Sequence, residues 1–252
     1  MCKAKAVCSS MFFVWLASAC LASAAAFGGR GVVVFVTPPG ALQDPSTLVK
    51  TCVAAARGGA AVVQLRDPGA DGAAFLDCCA RVCVALRGTG ARVVVNTADI
   101  GVALAAGADG VHLREAALGS AADVGAARGR LAAAGVAAPL VGASAHSVAA
   151  VLRAADAGCD YVQLGTMFET QTHPGKVPEG PALMRAAAAA LAARGGGKPL
   201  LVGVGGIDAS NCARVAEAGA DGVAVIRGIS ASPDPAAAVA AILEAMRAPE
   251  LR

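Results

Sequence analysis

The stretch Ala106-Gly-Ala-Asp-Gly-Val111 returns letter for letter as Ala218-Gly-Ala-Asp-Gly-Val223, and in weaker form as Ala157-Gly-Cys-Asp-Tyr-Val162. Each copy has the make-up of a helix end, a Gly that tolerates positive φ, a tight turn and the first residues of a buried strand. Outward from these copies the alternation continues. Short β-branched runs at Val32–Thr37, Ala61–Leu65, Arg92–Asn96, Gly110–Leu113, Leu140–Ser144, Tyr161–Gly165, Leu200–Val204 and Gly222–Ile226 each precede an Ala-rich segment of helical length. Asp44, Ser120, Ser147 and Asp208 stand where helix N-caps are expected, and many helices stop at Gly. Eight such units in one chain predict an α/β protein built as a single (β/α)8 TIM barrel. A doubly wound sheet is the alternative, but no GxGxxG follows the first strand.

Composition agrees. The chain of 252 residues is 56% hydrophobic and 15% charged, ample for one large core and far from a disordered composition. A net charge of +3, with one Trp and one Tyr, supplies neither the field nor the stacking platforms of a nucleic-acid binder. Lys3 and Lys5 precede an apolar run from Met11 to Ala22 and then Ser23-Ala-Ala-Ala26, the order of a secretory signal peptide. The run is too short to span a membrane, so residues 1–26 are read as a cleaved leader, with no stable membrane anchor left on residues 27–252. The Ala-Ala-Ala-Phe27 context resembles the signal-plus-transit leaders of algae with secondary plastids. Outside the leader, Cys52, Cys78, Cys79, Cys83, Cys159 and Cys212 form no CxxC pair. They are read as small buried hydrophobes, including the i, i+4 pair Cys79 and Cys83.

Barrels of this kind carry their chemistry after the strand C-termini. Those positions hold Gln64, Arg66 and Asp67 after strand 2, Asn96 and Thr97 after strand 3, and His112 at the end of strand 4. Ser144 and His146 follow strand 5, and the loop 165–180 contributes Glu169, Thr170, Thr172, His173 and Lys176. All three His of the chain fall at this face, and imidazole is the natural acid–base group near neutral pH. His112, inside an apolar strand end, is the one most open to a purely structural role. Gly205 and Gly206 after strand 7, with Ile226, Arg227 and Gly228 at strand 8, fit a phosphate site made of close backbone and a helix N-terminus. No acidic pair adjoins that path, so no metal or other cofactor is expected.

The strings Val-Gln-Leu-Arg (63–66), Ala-Gly-Ala-Asp-Gly-Val-His-Leu (106–113), Gly-Ala-Ser-Ala-His-Ser (142–147), Phe-Glu-Thr (168–170), Gly-Val-Gly-Gly-Ile (203–207) and Ala-Gly-Ala-Asp-Gly-Val-Ala-Val-Ile (218–226) resemble, in order, the thiamine-phosphate synthase/thiazole tautomerase superfamily. The resemblance implies one of two activities. The synthase joins a pyrimidine diphosphate to thiazole phosphate with Mg²⁺ and a basic diphosphate cradle; the tautomerase aromatises thiazole carboxylate phosphate by moving a proton, without metal. Against the synthase pattern, Thr97 and Ala117 stand at its two metal aspartates, and Pro68 and His173 at two cradle lysines. Retained are Arg66, Asn96, Thr170, Thr172, Gly205, Gly206 and the strand-8 turn. The acid–base His of the tautomerase matches His146.

The expectation is therefore a thiazole tautomerase, an isomerase. His146 is its acid–base group, with Gln64, Arg66, Asn96, Ser144, Thr170, Thr172 and His173 around a small phosphorylated thiazole. Gly205, Gly206, Ile226, Arg227 and Gly228 hold its phosphate. A synthase using Mg²⁺ through Glu115 or Glu169 is the alternative, and a non-catalytic phosphate-ligand binder the second. A homo-oligomer is left open by the sequence.

Overall fold

The computed structural model describes residues 31–247 apart from 71, 119, 120, 172–174 and 176. The leader, the Ser120 cap and the candidates Thr172 and His173 lie outside the described residues. Strands β1 (Val32–Val36), β2 (Val62–Leu65), β3 (Arg92–Asn96), β4 (Gly110–Leu113), β5 (Leu140–Ala145), β6 (Tyr161–Leu164), β7 (Leu200–Val204) and β8 (Gly222–Val225) pair in parallel and close into a barrel in chain order, β8 against β1. The predicted (β/α)8 barrel is the observed fold. Helices α1 (Pro45–Arg57), α2 (Gly72–Ala85), α3 (Ile100–Ala106), α4 (Ala121–Ala133), α5 (Val148–Asp156), α6 (Gly180–Arg194) and α7 (Cys212–Glu217) alternate with the strands. A four-residue α8 (Arg227–Ser230) leads into the closing α9 (Pro235–Arg247).

The repeat that decides the fold is a device for fastening strands at their entry ends. Asp109 accepts a hydrogen bond from the Val93 N–H at 2.7 Å and donates its own N–H to the Val93 carbonyl at 2.8 Å. Asp160 does the same to Val141, and Asp221 to Leu201. Each aspartate also faces a cation, respectively Arg92, Arg128 and Lys198. The preceding Gly107, Gly158 and Gly219 all take positive φ, as a helix ending in a left-handed turn requires. Burial pushes the Asp160 carboxyl up, against the pull of Arg128.

Two apolar layers follow from the period-2 alternation of each strand. Outward-facing Val33, Phe35, Val63, Val93, Val95, Val111, Val141 and Val162 pack against the helices, while Val32, Val34, Val36, Val62, Val94, Leu140, Tyr161, Val202 and Ala224 fill the barrel. Gly142 is set by the inner layer, because a Cβ there would run into the Tyr161 ring. The six non-leader cysteines are free and buried among the helices, as read, and burial pushes the Cys83 and Cys159 thiols up to about 12.

Asp44 and Ser147 cap α1 and α5 through the Thr47 and Ala150 N–H groups. Asp208 departs from its expected role. It accepts from the N–H and hydroxyl of Ser210 in the turn before α7, whose N-cap position is Asn211.

Candidate active site

The strand C-termini open into a cavity of about 760 Å³. Among the residues predicted for the site, Gln64, Arg66, Asn96, Ser144, His146, Thr170, Gly205, Gly206, Ile226, Arg227 and Gly228 all line it. Alternation along β2, β3 and β5 brings Gln64, Asn96 and Ser144 to the barrel's inner face near its upper end, and the loops supply the rest. His112 does not reach the cavity.

Instead His112 anchors the floor. It is fully buried, with Nδ1 3.0 Å from the Tyr161 hydroxyl and Nε2 2.8 Å from the Ser144 hydroxyl. Burial, with Arg66 nearby, lowers its pKa to about 3, so the ring is neutral at physiological pH. A neutral imidazole carries one N–H, so the chain runs in one direction: when Tyr161 donates to Nδ1, Nε2–H donates to Ser144. Its burial and its two hydrogen bonds agree with the structural reading of His112, and its reach to the site is through Ser144. Beside it the buried Gln163 amide donates to Gln64 Oε1 at 2.6 Å across the barrel. Sequence reasoning missed Gln163 and Tyr161. The signal was present in the second Val-Gln-Leu, at 162–164, which repeats the 63–65 string and puts Gln163, like Gln64, third in its strand.

His146 differs from His112 in exposure and in the charge of its partner. It is exposed at the mouth, directly after β5, and its Nδ1 lies 2.8 Å from Glu115 Oε2. Glu115 belongs to a single 3-10 turn after β4, and its other oxygen accepts from Arg153 at 3.1 Å. Arg66 has the opposite deficit, for its Nη1 is buried without a hydrogen-bond partner. Desolvation lowers its pKa, and the charge of Arg114 on the same cavity wall lowers it further. Two guanidinium groups on one cavity wall, one with a buried donor unpaired and only Asp67 opposing the repulsion, make a site for an anion. Arg114 was not picked out from the sequence.

Across the mouth, Gly205 and Gly206 take positive φ. They also pack tightly on the β6 loop: a Cβ on Gly205 would strike Thr166, and one on Gly206 the Phe168 and Glu169 carbonyls. Arg227 reaches over to hydrogen-bond Gln171 Oε1, which ties the β8 turn to the same loop.

The superfamily pattern implies Mg²⁺, which takes hard oxygen ligands and usually one or two carboxylates. The residues at the two metal positions do not fit it, and the carboxylates that line the cavity, Glu115, Glu169 and Asp208, come from three separate loops. Thr97 accepts from the Asp99 N–H in the turn that caps α3, Ala117 has no donor, and both Glu115 oxygens are engaged by His146 and Arg153. Among the described residues no three His, Cys, Asp or Glu side chains are grouped to hold a metal.

Fold and site together define the class: a (β/α)8-barrel enzyme with a polar, cation-bearing mouth. The model of the thiamine monophosphate synthase family matches residues 33–229, and the chain belongs to that family of thiamine biosynthesis. Among its relatives, a thiamine-phosphate synthase of Chromobacterium violaceum is 39% identical over 208 residues, covering 82% of this chain and 92% of that protein. One of Methanoculleus marisnigri is 40% identical over 195 residues, covering 77% and 85%. A solved thiamine phosphate pyrophosphorylase of Pyrococcus furiosus superposes with a TM-score of 0.68 at 24% identity, over 85% of this chain and 94% of its own, and shows the shared fold. The names of these relatives favour the synthase alternative over the isomerase expected from the sequence, and they do not distinguish a tautomerase branch.

Proposed function

We propose that the chain is a thiamine-biosynthetic enzyme acting on a phosphorylated thiazole, and that its reaction is the metal-independent tautomerisation of thiazole carboxylate phosphate. One observation carries this over the joining reaction: the two positions where the synthase pattern has its metal carboxylates are Thr97 and Ala117, and of the carboxylates that do line the mouth, Glu115 is already committed to His146 and Arg153. In this reading Arg66 pairs with the substrate carboxylate, which satisfies its orphaned Nη1. Gly205, Gly206 and the Ile226–Gly228 turn take the phosphate. His146 accepts the proton from one substrate carbon and returns it to another, so the imidazole ends each turnover as it began.

A second reading, thiamine-phosphate synthase, is favoured by the relatives' names and by the retained Arg66 and Asn96. One experiment separates the two. Residues 27–252 are supplied with thiazole carboxylate phosphate tautomer in EDTA, and aromatisation is followed by ultraviolet absorbance. A parallel sample receives Mg²⁺, hydroxymethylpyrimidine diphosphate and thiazole phosphate, and is analysed for thiamine phosphate. Turnover in EDTA is the expected result. Thiamine phosphate formed only with Mg²⁺ overturns the tautomerase in favour of the synthase, and tight binding without turnover in either sample indicates a non-catalytic binder.

A further inference from the structure

We infer that Glu115 is a positioning residue that holds His146 in one tautomer and one orientation; this rests on the reading of His146 as the proton carrier. A single oxygen, Glu115 Oε2, accepts from two donors of the same residue, the His146 backbone N–H at 3.0 Å and its ring Nδ1 at 2.8 Å. A carboxylate only accepts, so Nδ1 must carry the proton, and Nε2 keeps its lone pair. Bonding both the main chain and the ring to one atom also fixes the ring relative to β5. The carboxylate is itself held from behind, because Arg153 on α5 donates to Oε1 at 3.1 Å and balances the charge. The free nitrogen is thus the one left for substrate at a residue lining the cavity.

The electron and proton count closes without any other reagent. The Nε2 lone pair takes a proton from substrate carbon, the resulting imidazolium keeps its Nδ1–H on Glu115, and Nε2–H returns the proton to the second carbon. An imidazole in the opposite tautomer presents N–H where a base is required and does not begin the cycle.

The test is nitrogen-15 NMR of the histidine rings at alkaline pH, with His146 assigned by loss of its signals in His146→Gln, alongside steady-state kinetics. The wild-type ring is expected in the Nδ1–H form. In Glu115→Ala the population moves to the Nε2–H form preferred by free imidazole, and kcat falls about 10–100-fold with KM little changed. Glu115→Asp recovers part of both. Glu115→Leu keeps comparable bulk without an acceptor oxygen, and supplies the same comparison if the alanine variant does not fold. A His146 tautomer unaffected by either substitution overturns the proposal, as does a tautomer shift with unchanged kcat. Loss of the Nδ1–H signature on adding Mg²⁺ makes Glu115 a metal ligand and also overturns it. Should His146→Gln itself retain turnover, the proton-carrier reading fails instead, which the kinetics report independently of the ring spectra.

Discussion

Replacing His112 by Gln should flatten the acid side of the protein's stability curve. The ring is fully buried, and its pKa falls from 6.5 to about 3 in the folded chain. Unfolding releases it to its ordinary value, so between these limits the unfolded state binds the extra proton. Stability is complete above about pH 6.5 and is lost as pH falls toward 3, at a limiting ~1.4 kcal/mol per pH unit. From pH 7 to pH 5 the loss comes to about 2 kcal/mol, or roughly 4–8 °C in melting temperature for a domain of this size. Glutamine does not titrate, yet it can still donate to and accept from Tyr161 and Ser144. The assay is urea denaturation of both proteins at several pH values, taking the difference between wild type and His112→Gln so that other titrating groups cancel. A constant offset with the same slope for both proteins would refute the claim that the buried imidazole is held neutral.

Four further outcomes are expected. His146→Gln lowers turnover by about 10²–10⁴-fold while substrate still binds, measured by steady-state kinetics and calorimetry. Arg66→Met weakens binding of the carboxylate substrate by roughly 10–100-fold in calorimetry, the value of charge-assisted hydrogen bonds. The ligand-free melting temperature stays level or rises, because a desolvated and partly unsatisfied cation has been removed. Gly142→Ala drives a methyl into the Tyr161 ring and costs about 1–3 kcal/mol in chemical denaturation. Asp221→Ala leaves the Leu201 N–H and Lys198 without their carboxylate, for a loss of about 1–3 kcal/mol by the same measurement.

The barrel was legible because its two periodicities are written in residue types: β-branched runs for strands, Ala-rich stretches for helices, Gly at the junctions. Strand limits came within a residue, as with β3, predicted and found at Arg92–Asn96. Most of the mouth was legible for a related reason, since residues just past a strand end have nowhere else to go. What stayed hidden depends on contacts across the sheet. The chain from Tyr161 through His112 to Ser144 joins three strands, and no spacing in the sequence announces it. Glu115 was visible only as a possible Mg²⁺ ligand of the synthase alternative; its commitment to His146, 31 positions away, is a product of β4 and β5 lying side by side. Asp208 failed as a cap because a turn with Ser210 and Asn211 intervenes before the helix begins.

The aspartate clamps at the strand entries join β3 to β4 through Asp109, β5 to β6 through Asp160 and β7 to β8 through Asp221. The fourth junction, β1 to β2, repeats the backbone part alone: Ala61 N–H donates to Val33 and the Ala61 carbonyl accepts from Arg92, each at 2.9 Å. The lower rim therefore has a quarter-turn symmetry, with four two-strand staves hooped alike and one hoop lacking its charged rivet. The described loops of the upper rim differ from one another in length and in side chains. Division of labour between the rims follows: loops above can be exchanged, and the chemistry with them, without disturbing any rivet below.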